Sequence, residues 1–99
     1  MYYVYVIVEK QTAKRYIGYT NDLKRRIEEH NSGQGSRYTC GGEWFLAYYE
    51  AFSSEKDARK RERKLKDEGR ARYQLFRRIG DSLAGQKWVR QKSPRRPRG

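Results

Sequence analysis

Cysteine and histidine are nearly missing from this chain, since Cys40 and His30 are single occurrences among 99 residues. One cysteine closes no intrachain disulfide, and one of each residue cannot assemble a Cys/His zinc cluster, so both kinds of scaffold are excluded. A reducing, cytoplasmic setting fits that usage. Long apolar runs are missing as well. The longest, Tyr2 to Val8, is far short of the ~20 residues a membrane helix needs and lacks the flanks of a secretion signal. A soluble protein without a membrane partner is expected. Acidic residues are scarce: twelve Asp and Glu oppose 24 Lys and Arg, leaving a formal charge of +12. The simplest partner for that surplus is a polyanion, with a ribosomal-type or merely soluble basic protein as the alternative. Length also excludes a large internal cavity, because a chain this small buries only roughly 60 to 65% of its unfolded surface. One domain with one modest core is expected.

What is present orders itself into strands and helices. Every residue from Tyr2 to Val8 is aromatic or β-branched, which suits a strand covered on both faces or central in a sheet. Lys14 to Tyr19 resumes the strand pattern after a polar turn, with Tyr16 and Gly18 on one face and Arg15, Ile17 and Tyr19 on the other. The short connection predicts an antiparallel hairpin. Thr20, Asn21 and Asp22 offer caps for a first helix reaching Asn31, on which Leu23, Arg26, Ile27 and His30 share one arc. Lys24, Arg25, Glu28 and Glu29 point elsewhere. A glycine-rich loop from Gly33 to Gly42 precedes a third strand, Trp44 to Glu50. Ser53 or Ser54 opens a second helix in which Ala58, Glu62 and Leu65 fall on one arc, so that an acid sits in the apolar stripe. After Gly69 a third helix runs from Arg70 to Ile79 with Leu75, Phe76 and Ile79 inward.

The pattern weakens after Gly80. From Gln86 to Gly99 there are six basic residues, two prolines and no acid. A basic, flexible tail over 81–99 is expected, adding electrostatic affinity without specificity; a terminal remnant with no role is the alternative. A domain over 1–80 precedes it.

Singly, the candidate functional residues carry little. Tyr5 and Tyr16 read as core or rim tyrosines, and His30 as a hydrogen-bonded core histidine. Arg26 reads as a helix partner of Asp22, and Glu62 as an i, i+4 partner of Lys66. Together, however, "YVYVI", "RYIGYT", "NDLKRRIEEHN" and "DARKRERKLK" stand in an order and spacing that resemble the GIY-YIG endonuclease superfamily. The likeness covers residues 2 to 79 and is nearest to small stand-alone members related to the N-terminal nuclease domain of UvrC.

The resemblance implies an α+β fold, a three-stranded antiparallel sheet flanked by about three helices, which agrees with the element order read from the residues themselves. It implies that Tyr5 closes the first motif, with Tyr3-Val4-Tyr5 standing for Gly-Ile-Tyr, and that Tyr16-Ile17-Gly18 is an intact second motif. Arg26 takes the position of the catalytic arginine, His30 that of a frequent histidine, and Glu62 that of the metal-binding glutamate. Tyr3 departs from the signature glycine. An asparagine that several members carry after the metal helix has no clear match, Gln74 being nearby.

These residue types suit phosphodiester hydrolysis, whose transition state gathers negative charge on the phosphate oxygens. A guanidinium fork at Arg26 matches those oxygens and stays charged near neutrality. Magnesium or manganese keeps most of its waters, so a lone Glu62 suffices to hold it. Tyr16 is favoured as the hydroxyl that activates water, although a phenol with a reference pKa near ~10 is a poor base unaided. Tyr5 is left to positioning, and His30 to orienting phosphate, water or a tyrosine. Lys24, Arg25, Arg37, Tyr38 and Lys66 are the expected nucleic-acid contacts, with Tyr38 and Trp44 either stacking on splayed bases or simply packed. A metal-dependent DNA endonuclease is the leading expectation, DNA standing ahead of RNA by family likeness alone, and no obligate protein partner is evident. The rivals are a non-catalytic basic nucleic-acid-binding module and a basic subunit of a protein assembly.

Overall fold

The opening run of β-formers makes the middle strand of a sheet. In the computed structural model, which describes residues 1–84, the elements follow as β1 (Tyr2–Glu9), β2 (Arg15–Thr20), α1 (Leu23–Asn31), β3 (Trp44–Phe52), α2 (Glu55–Asp67) and α3 (Gly69–Arg78). The strand order is β2-β1-β3, and β1 pairs antiparallel with both neighbours. The central place explains why β1 shows no polar alternation: both of its faces are covered. Val4 and Val6 meet Ile17, Ala58, Leu65 and Leu75 on the α2–α3 side. Tyr5 and Ile7 meet Trp44 on the opposite side, with Tyr16, Leu23 and Ile27 packed against them beneath α1. Each fully buried aliphatic residue contributes about 1.5 to 3 kcal/mol of transfer free energy, so these two thin layers together hold the sheet.

Local signals set the helix ends. Asp22, of the three caps available, accepts from the Arg25 amide at 3.1 Å. Ser54, of the two serines, accepts from the Asp57 amide at 3.3 Å, and Glu55 and Asp57 place acids in the first turn of α2, where the helix dipole favours them. At the other end of α2, Arg72 Nη1 donates to the carbonyls of Leu65 at 2.9 Å and Lys66 at 2.8 Å, satisfying acceptors the helix leaves open. Arg61 fixes α2 against the sheet through a forked pair, Nε to Glu50 Oε1 at 3.0 Å and Nη2 to Glu50 Oε2 at 2.9 Å. Tyr48 donates to the same carboxylate at 2.6 Å.

The β1–β2 turn is organised by Glu9. Its carboxylate accepts from the amides of Gln11, Thr12 and Glu43 at 2.9, 2.8 and 3.0 Å and from the Thr12 hydroxyl at 2.9 Å. Those donors, the Glu43 amide foremost, pull its pKa down to about 2. Ala13 closes the turn at φ 63°, a left-handed conformation unusual for a residue with a Cβ. Beyond α3 the chain stays helical over residues 80–84, and Leu83 packs on the α2–α3 side of the core. The rest of the expected basic tail, 85–99, lies outside the described residues.

Candidate active site

Register places the two motif tyrosines together. Tyr5 stands opposite Gly18, and Ile7 opposite Tyr16, so Tyr5 and Tyr16 share one face with ring centroids 6.4 Å apart. Gly18 is glycine for a steric reason. A Cβ there would sit 2.2 Å from the Tyr5 hydroxyl oxygen and 2.3 Å from the ring carbon that bears it, so the phenol lies directly across the bare backbone.

His30, one turn beyond Arg26 on α1, is fully buried and bonded at both ring nitrogens: Nε2 to the Tyr5 hydroxyl and Nδ1 to Thr39 Oγ1, each at 2.8 Å. The neighbours decide the tautomer. Thr39 Oγ1 has the Ser36 carbonyl as an acceptor at 3.2 Å, an arrangement that suits the tautomer in which His30 Nδ1–H donates to Thr39 and Nε2 accepts from Tyr5. Burial first, and the Arg26 charge second, hold the histidine below its ordinary pKa, which keeps this neutral form in place. Burial likewise pushes Tyr5 up to about 12, despite the opposing pull of Arg26. Tyr5 is therefore a protonated phenol whose hydrogen points at His30. Gly35 lets the loop close over the ring, since a Cβ at that position would lie 2.2 Å from Nδ1.

Arg26 borders this cluster. Its Nη1 donates to Glu29 Oε1 at 2.8 Å and its Nη2 to the Gly35 carbonyl at 3.5 Å. The partner Asp22 suggested by helix spacing is instead the cap of α1, and Arg26 turns toward the loop. The Glu29 pair is partly solvated, so it is worth no more than about 1 kcal/mol and leaves the guanidinium free to change partners.

Glu62 comes from the far side of the sheet. α2 covers the Val4–Val6 face, yet β2 is an edge strand, and around its rim Glu62 and Lys66 reach the tyrosine side. Lys66 Nζ lies 2.9 Å from Glu62 Oε2 and 5.5 Å from the centre of the Tyr16 ring. The i, i+4 pairing read from sequence is present. The carboxylate nonetheless acts on the cluster, because its negative charge contributes to the rise of the Tyr5 pKa. Ala58 and Leu65 on the same arc are completely buried, while the Glu62 side chain stays 21% exposed. A stripe that is apolar at both neighbours thus opens to solvent where the acid stands.

The donor set suits one kind of metal. No cluster of three or more His, Cys, Asp or Glu suited to a metal occurs among the described residues. A lone, partly exposed carboxylate fits magnesium or manganese, which keep most of their waters, and does not fit zinc, which wants several protein ligands.

The expected nucleic-acid contacts divide. Tyr38 stacks on Tyr16 with centroids 6.1 Å apart and 24° between planes, and is 52% exposed. Lys66 stands beside the same ring. Trp44 is packed, its indole N–H donating to the Thr39 carbonyl at 3.0 Å. Lys24 and Arg25 lie exposed on the outer face of α1, with Arg25 paired to Glu29 at 3.6 Å, and Arg37 is exposed in the loop. Several participants escaped the sequence reading. Thr39 holds the His30 proton, and Asn31 ties α1 to β3 by accepting from the Trp44 amide at 2.7 Å and donating to the Trp44 carbonyl at 3.0 Å. Thr39 lies in a loop with no period to read, and Asn31 ends α1, where only tertiary closure brings it to β3.

Comparison with known proteins gives the chain's family. The GIY-YIG catalytic domain family model matches residues 1–74. A UPF0213 protein of Halobacterium salinarum is 42% identical over 77 residues, which cover 77% of this chain and 99% of that protein. A UPF0213 protein of Haloquadratum walsbyi is 37% identical over 83 residues, covering 83% of this chain and 92% of that protein. The solution NMR structure of a UPF0213 protein from Bacillus halodurans is 40% identical, covers 76% of this chain and 82% of that chain, and superposes with a TM-score of 0.47. No helix among the described residues is long and apolar enough to cross a membrane. Since the matched span runs from β1 into α3 and contains Tyr5, Tyr16, Arg26, His30 and Glu62, the chain belongs to the GIY-YIG nuclease family.

Proposed function

We propose that the protein is an endonuclease that hydrolyses phosphodiester bonds in DNA with one divalent metal ion, magnesium or manganese. The observation that carries this reading is the Tyr5–Tyr16–His30 cluster bordered by Arg26, to which Glu62 is linked at the rim of β2 through Lys66, a residue that lies on its carboxylate and near the Tyr16 ring. Glu62 would hold the ion, whose charge offsets the negative charge that develops on the leaving 3′-oxygen.

The chain's own groups divide the remaining work. Arg26 exchanges its partly solvated Glu29 partner for two oxygens of the scissile phosphate, which a planar fork grips better than an ammonium. Tyr16, half-exposed beside the cluster, offers its hydroxyl to the attacking water. Tyr5 has no such freedom, because its proton is committed to His30 and its acidity is suppressed by burial. It orients the neighbouring groups. Lys66 moves from Glu62 to phosphate as substrate arrives.

The test is supercoiled plasmid incubated with magnesium or manganese, with and without a chelator. Nicking that the chelator stops, and that falls at least about 100-fold in Arg26→Ala and Glu62→Ala, is the expected result. Wild-type rates in both variants would end the assignment, and faster cutting of RNA of the same sequence would end the choice of DNA. One observation favours the non-catalytic rival: Glu62 already has a cation, Lys66, at 2.9 Å. That rival predicts binding without any cut under every metal condition.

A further inference from the structure

Beside Tyr16 lies an open cleft of about 350 Å³ lined by Arg15, Tyr16, Ile17, Tyr38, Lys66, Arg72 and Phe76. Its chemistry is unusually one-sided. Three of the lining residues are cations, three are aromatic, and none is acidic. The cations lie close to the aromatic walls or to the end of α2. Arg15 lies over the Phe76 ring at 4.9 Å, Lys66 over Tyr16 at 5.5 Å, and Arg72 is fixed to the carbonyls at the end of α2. Lys14 adds a fourth charge over the Tyr38 ring at 5.8 Å.

Tyr38 is the part that the hydrolytic chemistry leaves unexplained. It is a large aromatic residue more than half exposed, yet it stacks on Tyr16 at 6.1 Å and leans at 47° against the buried Trp44 at 6.1 Å. Trp44 in turn is pinned by its indole hydrogen bond to Thr39. A flat ring held rigid at a water-facing site loses little further freedom on stacking, which is the condition for a productive platform. Cations around aromatic walls suit one type of ligand, a flat heterocycle that carries phosphate on either side.

We infer that this cleft receives an unstacked base next to the scissile phosphate, so the preferred substrate is DNA in which the nucleotide at the cut is unpaired. The inference rests on the nuclease reading for its placement beside the cut. The cleft shares Tyr16 and Lys66 with the proposed hydrolytic site, which sets the platform beside that site. In continuous duplex that base stays stacked inside the helix and must first be extruded, which weakens binding. A bulge, flap or single strand presents it already free.

Binding measured in chelator separates this inference from the catalytic one. Fluorescently labelled DNA would be titrated with the protein as a perfect duplex, the same duplex with a one-nucleotide bulge, and a single strand of equal length. The expected result is about tenfold tighter binding of the bulged and single-stranded probes than of the duplex. Tyr38→Ala should erase that difference by weakening the first two, and Tyr38→Trp should restore it. Equal affinity of the wild type for all three probes, or a preference that survives Tyr38→Ala, overturns the inference. Because Tyr38 is exposed, the circular dichroism of each variant should match that of the wild type. A chain that never nicks plasmid but keeps the Tyr38-dependent preference refutes the nuclease and leaves the cleft standing. Robust nicking without the preference refutes the cleft alone.

Discussion

Gly18 does more at the site than any charged residue's pattern suggests. The phenol of Tyr5 rests on its Cα, and the hydroxyl thereby reaches His30 at 2.8 Å. Gly18→Ala must push that ring aside, because the new methyl would be 2.2 Å from the hydroxyl oxygen. A loss of about 1 to 3 kcal/mol is expected from such overpacking, read as a lower urea midpoint, together with a drop in cleavage larger than the stability loss explains. Lys66 gives a prediction of opposite sign. It sits on Glu62 at 2.9 Å and so competes with a divalent ion for the carboxylate. Lys66→Met should tighten manganese binding by up to about fivefold in calorimetric titration, as befits a partly exposed pair. Weaker binding in that variant would show that Lys66 assists the metal instead. At this scale the sequence was readable where a motif repeats a type at a known interval, as with Arg26 and His30. It was silent on Thr39, whose hydroxyl sets the His30 tautomer from a glycine-rich loop that has no period to read.

Elements were easier to recognise than their partners. β1 announces itself by composition, and the caps at Asp22 and Ser54 lie among the residues that capping chemistry nominates. The sequence did not reveal what Glu9 does, because a glutamate at a strand end looks like ordinary turn polarity. Four donors converge on it, and its pKa falls to about 2. The sign follows directly: a carboxylate more acidic folded than unfolded lends stability above the unfolded pKa and loses it as pH drops through the folded one. Wild type and Glu9→Gln should therefore differ in thermal midpoint at neutral pH, with the gap shrinking below pH 4.5 and vanishing near pH 2. The same turn holds Ala13 at φ 63°. Ala13→Gly relieves a left-handed alanine and should raise stability by up to about 1 kcal/mol in urea denaturation, net of the glycine's larger unfolded-state entropy.

Charge acts across the whole molecule. A surplus of +12 on 99 residues makes counterion release the main source of affinity for any nucleic acid. Binding to duplex DNA should weaken at least about 100-fold between 50 and 200 mM salt, measured by anisotropy, if four or more phosphates are engaged. A slope near zero would favour a protein partner. The charge total was plain from composition, whereas the joining of two sheet faces at one rim was not. Helical arcs showed that Glu62 and Arg26 each leave the solvent side of their own helix. They did not show that the two helices lie on opposite faces, because that depends on which edge β2 occupies.

The sheet consequently forms a partition with the proposed reaction centre at its lip. The acid belongs to the layer of Leu65 and Leu75, the guanidinium to the layer of Trp44 and Ile27, and neither layer alone encloses a working centre. Warming that loosens one layer before the other would part the two halves. Catalytic failure should thus begin at a lower temperature than the collapse of backbone structure, and the interval between them measures how independently the two layers melt.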